Sequence, residues 1–222
     1  RLVGSEMCIR DRYTLAEDVT ISGTLRVTGE ATVDLNGHIL RYAEEAEPDS
    51  IFRVTSGSTL TLTDSRPEAE HEDKTLPAGG LITGGRGYRH DNGAGQAYIY
   101  YGGGVYVETG ASFMLAGGTI YACGVQSGAN QAFGGGIYAD GGSVTMSGGV
   151  ISGCSAMSGG GILTSGCTVR ITGGRIENCK ASKRGGGLSV SGHTNGPVSV
   201  LDTVISGCEA KRGGGVGLIS FA

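Results

Sequence analysis

The chain has 222 residues, 44 of them glycine and only four proline, with 17 basic and 21 acidic residues for a formal net charge of −4. Glycine at that level without a strict every-third spacing excludes collagen, and the lack of a basic excess argues against nucleic acid as a partner. No apolar run approaches the ~20 residues that an α-helix needs to span a membrane. Aromatic residues are 6% and tryptophan is absent, so a core has to be built from Val, Ile, Leu and small side chains.

Residues 1–12 (RLVGSEMCIRDR) lack the glycine-rich alternation of the remaining chain. They read as the translation of a sequencing adapter joined in frame, and the segment, with Cys8, is expected to stand outside the fold. From Tyr13 onward the alternation predicts strands at Val19–Ile21, Thr24–Val27, Ala31–Leu35 and Ile39–Leu40, with Asn36-Gly37 as a tight turn. An acidic loop, 43–50, precedes strands at Ile51–Val54 and Thr59–Thr63. Two polar excursions, near 65–78 and 86–101, flank a short return to the pattern at 80–85.

The rest of the chain is organised by one recurring phrase, three glycines and an aliphatic residue: Gly102-Gly103-Gly104-Val105, Gly134-Gly135-Gly136-Ile137, Gly159-Gly160-Gly161-Ile162, Gly185-Gly186-Gly187-Leu188 and Gly213-Gly214-Gly215-Val216. The spacings of 32, 25, 26 and 28 residues mark a stacked repeat. The longest interval holds a third excursion, 124–133. Each unit contains three short apolar signals and no room for a helix. One such strand cannot bury its own face, but stacked units bury a continuous column. The expected fold is all-β: a single parallel β-helix over 13–222, of about six to seven coils with three strands each.

The third signal is an isoleucine followed three residues later by a cysteine, at Ile120/Cys123, Ile151/Cys154, Ile176/Cys179 and Ile205/Cys208. A straight strand would face these pairs oppositely, so a bend must lie between them. The residue before the cysteine is Ala122, Gly153, Asn178 or Gly207. Gly and Asn tolerate the left-handed conformation such a bend needs, and Ala122 is the misfit. The four cysteines then form a ladder with three readings: packed free thiols, one or two bridges, or a metal site. The close C-x₂-C pairs typical of zinc sites are missing. Cys167 aligns with Gly142 at a turn and is expected to be exposed.

The phrase GGGIYADGGSVTMSGGVISGC and the opening TLAEDVTISGTLRV with ATVDLNGHIL resemble right-handed parallel β-helix proteins of the pectate-lyase-like superfamily. More narrowly they resemble glycine-rich, adhesin-like and polymorphic outer-membrane-protein-like surface proteins of bacteria. The resemblance covers about residues 13–222. It implies secretion and display at the cell surface, with signal peptide and anchor outside this sequence. The chain stops nine residues after Gly213, inside a new coil, so further sequence is expected beyond it. One departure is the cysteine column, where related repeats place asparagine.

Candidate binding residues are two aligned basic pairs, Lys183-Arg184 and Lys211-Arg212, and two aligned tyrosines, Tyr106 and Tyr138. The first reads as a grip on an acidic polysaccharide or as solvated turn residues, the second as a sugar-stacking platform or a sheet-stabilising pair. The acidic loops around Glu44 and Glu70 have oxygen ligands for calcium but match no defined loop. No histidine has a triad partner in sequence, and no catalytic residue or cofactor is assigned. The expected function is a non-catalytic secreted or surface module, adhesin-like or a stalk, that contacts glycans. A fragment of a polysaccharide lyase or glycoside hydrolase and a purely structural spacer are the alternatives.

Overall fold

The computed structural model describes residues 7–91, 98–125, 131–192 and 196–219. It is a parallel β-solenoid of about six turns, without helix among the described residues, whose strands fall into three sheets. The largest sheet has two stacks joined by the long strand Leu25–Asp34. The first half of that strand starts the stack through Phe52–Val54, Val105–Val107, Ile137–Asp140, Ile162–Ser165, Leu188–Ser191 and Val216–Ile219. Its second half starts the stack through Thr59–Thr63, Ser112–Leu115, Ser143–Met146, Thr168–Ile171 and Val198–Val200. The two strands expected at Thr24–Val27 and Ala31–Leu35 are therefore one, carried past its irregularity by Gly29 at φ 108°.

The second sheet stacks Leu81–Thr83, Thr119–Tyr121, Val150–Ser152, Arg175–Glu177 and Val204–Ser206 above Val19–Ile21 and Ile39–Tyr42. Between the sheets lies one column of side chains in register: Val105, Ile137, Ile162 and Leu188 from the first stack, Leu62, Leu115, Met146 and Ile171 from the second, and Ile82, Ile120, Ile151 and Ile176 from the second sheet. Each is nearly or wholly removed from water, and each contributes roughly 1.5–3 kcal/mol.

The third sheet had no counterpart in the sequence reading. It stacks Ile99–Tyr101, Gln131–Phe133, Ser155–Ser158, Lys180–Arg184 and Glu209–Arg212, and ends in Tyr88–His90, the one antiparallel pairing among the described residues. Two excursions thus carry strands, and the basic pairs lie on strands rather than in turns. Residues 92–97 and 126–130 of those excursions lie outside the described residues. The excursion at 65–78 adds no strand; Asp64 anchors its ends by accepting from the Gly37 and Gly80 amides, both at 2.7 Å. At the other end of the chain, Met7–Thr14 crosses the expected start of the solenoid and pairs with Leu25–Asp34, burying Ile9 in the core.

The triple glycines are where a strand of the third sheet turns back into the column, and each of the three has its own reason. Gly134 has φ 66°, which an L side chain rarely adopts. A Cβ on Gly135 would meet the Gly160 carbonyl and stand 2.6 Å from the Ser155 nitrogen. A Cβ on Gly136 would stand 2.7 Å from the Gly161 carbonyl, 3.0 Å from Ile151 Cγ2 and 3.3 Å from Cys154 Sγ. The last contact recurs at Gly161 with Cys179 and at Gly187 with Cys208, both at 3.3 Å. The isoleucine–cysteine step and the third glycine are two sides of one packing contact.

The bend before each cysteine is left-handed throughout: Ala122 at φ 48°, Gly153 at 66°, Asn178 at 55° and Gly207 at 60°. Ala122→Gly should raise stability by about 0.5–1 kcal/mol, the left-handed penalty of an L residue less the greater chain entropy of glycine; denaturant melts check this. Gly136→Ala overpacks against Ile151 and Cys154 and should cost about 1–3 kcal/mol in the same melts.

Candidate ligand-binding groove

The third sheet stands beside the outer face of the first stack, and the two form the sides of a groove of about 750 Å³. Tyr138, Leu163, Ser165 and Ser191 line it from the stack. Phe133, Met157, Ser158 and both basic pairs line it from the third sheet. Lys183, Arg184, Lys211 and Arg212 are thus brought to one groove with Tyr138, while Tyr106 lies one strand further up, behind the Tyr138 ring. Such a volume is in the range of small-molecule sites.

The outward positions change steadily along the stack. In register they run Arg53, Tyr106, Tyr138, Leu163, Ser189, Gly217. The facing position on the third sheet runs Tyr101, Phe133, Ser158, Arg184, Arg212. The upper end is aromatic on both sides and the lower end is small on one side and cationic on the other. These outward side chains are less open than the sequence reading supposed: Tyr138 is 8% exposed and Leu163 4%, because the strand returning through each first glycine lies against them.

At the upper end the rings fill the corner. Tyr101 and Tyr138 have centroids 4.5 Å apart, Tyr106 lies 5.8 Å from Tyr101 and 5.7 Å from Tyr138, and Tyr88 stacks on Tyr106 at 5.4 Å. The Arg53 guanidinium sits 4.3 Å from the Tyr88 centroid and donates from Nε to Glu108 at 2.5 Å. Burial works against its charge, but the bond to Glu108 and the attraction of Glu108 and Tyr88 outweigh it and raise its pKa. Burial, then Glu108, pushes the Tyr106 phenol up to about 12, and burial with Asp140 beside it raises Tyr138 still further. Tyr106 and Tyr138 therefore stay neutral and able to donate at any physiological pH.

At the lower end Arg184 and Arg212 are in register on adjacent strands. Among the described residues no carboxylate pairs with either, or with Lys183 or Lys211. Stacked like charges repel, so a polyanion laid along them relieves a standing cost. Sequence reasoning missed Glu108 and Asp140, each two residues beyond an outward tyrosine and so on the same face by period-2 alternation. It also missed Phe133, whose strand it read as part of an excursion, and Met157, whose strand it did not assign.

The cysteine ladder lies on the far side of the third glycine, away from the groove. All four thiols are free; Cys123, Cys154 and Cys179 are buried and Cys208 is half-buried. Sulfurs point at the isoleucine carbonyl one coil earlier, Cys154 to Ile120 at 3.6 Å, Cys179 to Ile151 and Cys208 to Ile176 at 3.7 Å. Burial pushes Cys123 up to about 12, and a hydrogen bond with Cys179 together with full burial raises Cys154. Cys167 is not exposed as expected but 1% exposed, in the column of Ala111 and Gly142, donating to the Ser165 carbonyl at 3.2 Å. That turn column points inward because the two stacks meet there. Among the described residues no three of His, Cys, Asp and Glu converge as a metal site; His193 lies outside them.

The described residues thus form an all-β parallel solenoid carrying a lateral groove, aromatic at one end and basic at the other. Compared with protein-family models, curated proteins and solved structures, it matches none.

The thiols give a direct check of this packing. In native protein near neutral pH an alkylating reagent should label Cys208 and Cys8 and leave Cys123, Cys154, Cys167 and Cys179 until the chain is unfolded, as read by peptide mass spectrometry. Because Cys123 titrates higher folded than unfolded, its contribution is intact below the ordinary thiol value of 9.0 and is lost as pH rises from there toward about 12. Stability should fall over that interval, and less so in a Cys123→Ala variant.

Proposed function

We propose that the chain is a non-catalytic module, displayed outside the cell, whose groove binds an acidic polysaccharide. The observation that carries the reading is the unneutralised cationic ladder of Lys183, Arg184, Lys211 and Arg212 meeting the Tyr138 and Phe133 rings in one groove. Sugar rings offer apolar faces that stack on aromatic side chains, and carboxylate or sulfate groups accept charge-assisted hydrogen bonds from lysine and arginine. The two kinds of contact on one surface match a polymer that has both features. Display at the surface rests on the resemblance to bacterial surface solenoids.

The enzyme alternative has its own observation in Glu108 and Asp140, which come two residues after Tyr106 and Tyr138 on the outer face. Glu108 is held by Arg53, so the pair does not present two free carboxylates. The test is binding of heparin and alginate to the chain and to the variant in which Lys183, Arg184, Lys211 and Arg212 are all alanine, by titration calorimetry at low and high salt. Each lost charged hydrogen bond is worth about 1.5–3 kcal/mol, so the variant should bind at least tenfold more weakly. Salt should weaken the native chain more than the variant. Equal affinities would overturn the groove reading. Release of new reducing ends or unsaturated sugars during the same incubations would replace the binding reading with the enzymatic one.

A further inference from the structure

The groove is blind at one end. From Arg53 to Tyr138 the corner between stack and third sheet is filled by contiguous groups: the Arg53 guanidinium on Tyr88, Tyr88 on Tyr106, Tyr106 on Tyr101, and Tyr101 on Tyr138. The third sheet itself stops there, because its last strand, Tyr88–His90, turns antiparallel and lays Tyr88 over Tyr106. The groove opens past Phe133 and Tyr138, where the outward side chain drops to Leu163 and the facing one to Ser158. From there the groove passes between Ser165, Ser191 and the basic pairs without another large ring among its lining residues.

The geometry points to recognition of chain ends: the groove takes the terminus of an acidic polysaccharide, its last sugar against the Tyr138–Phe133 wall and its anionic groups running down past Lys183, Arg184, Lys211 and Arg212. This inference rests on the proposed function and adds a specificity to it. An internal segment of a polymer has chain on both sides, and the chain on the upper side would run into the stacked tyrosines. Displacing them would undo the Arg53 contact with the Tyr88 ring and four ring contacts at once. From the Tyr138 strand to the Arg212 strand the groove spans three strand steps, roughly 14 Å.

The distinguishing experiment compares polymer with fragment. Heparin and alginate, each intact and as size-fractionated oligosaccharides, compete for the groove against one labelled oligosaccharide, with potency expressed per unit mass of sugar. End recognition makes potency follow the number of chain ends, so intact polymer should be weaker than its oligosaccharides in proportion to its greater length, tenfold or more for a tenfold longer chain. Equal potency per mass would overturn end recognition and leave the groove reading standing, provided the all-alanine basic variant still loses binding. A labelled oligosaccharide that binds neither protein above background overturns both. A Tyr88→Ala/Tyr101→Ala variant, which opens the upper end, should bring intact polymer up to the per-mass potency of its fragments. If that variant does not fold, the comparison on the native chain decides alone.

Discussion

The structure depends on how closely backbone can approach backbone where each coil closes. At Gly135 the returning strand passes within van der Waals reach of the Gly160 carbonyl and the Ser155 backbone, with no volume left for a methyl group. The same approach recurs at Gly160 against Lys180 and at Gly186 against Glu209. That closure lets the chain leave the column after each cysteine, run through a strand of the third sheet and come back. A larger residue would hold the coil open and expose the isoleucine–cysteine column to water. The close approach at the second glycine and the packing of the cysteine sulfur on the third recur together from coil to coil.

The groove is a by-product of the same closure. A third sheet that leaves and re-enters at a glycine corner has to lie beside the outer face of the neighbouring stack. What fills the corner then depends on side chains the core does not constrain. Near the start of the regular coils those side chains are tyrosines and phenylalanine, which pack on one another and remove their own surface from water. Further along they are leucine, serine and glycine facing lysine and arginine, and the corner stays open. The core column holds the coils in register, and register places Arg184 above Arg212. On the strands of the first stack the core column and the groove lining thus lie on opposite faces.

Much of this was legible in the chain. The triple glycines marked the coil, the isoleucine–cysteine step implied a bend, and the misfit of Ala122 in that bend stands in the structure as a left-handed alanine. The third sheet was not legible by the same route, because its strands are short, polar on one side and separated by insertions. Its signal was present as an apolar residue two positions after every ladder cysteine: Val125, Ala156, Ala181 and Ala210. Small side chains weigh little in a search for alternation, and lysine with arginine before glycine resembles a turn. Cys167 was misjudged because a turn position was equated with the surface, whereas the two stacks meet there and turn the residue inward. The candidate groove could not be seen at all without pairing register, since Tyr138 and Arg184 are far apart in the chain and belong to different sheets.

The measurement that tests the account most directly is an NMR titration of the isotopically labelled chain with a heparin oligosaccharide. The account predicts that the largest shifts fall on Phe133, Tyr138, Leu163, Arg184 and Arg212, with the cysteine ladder and the acidic loop at 43–50 unmoved. Shifts centred on any other face of the solenoid, or none at saturating ligand, would contradict it.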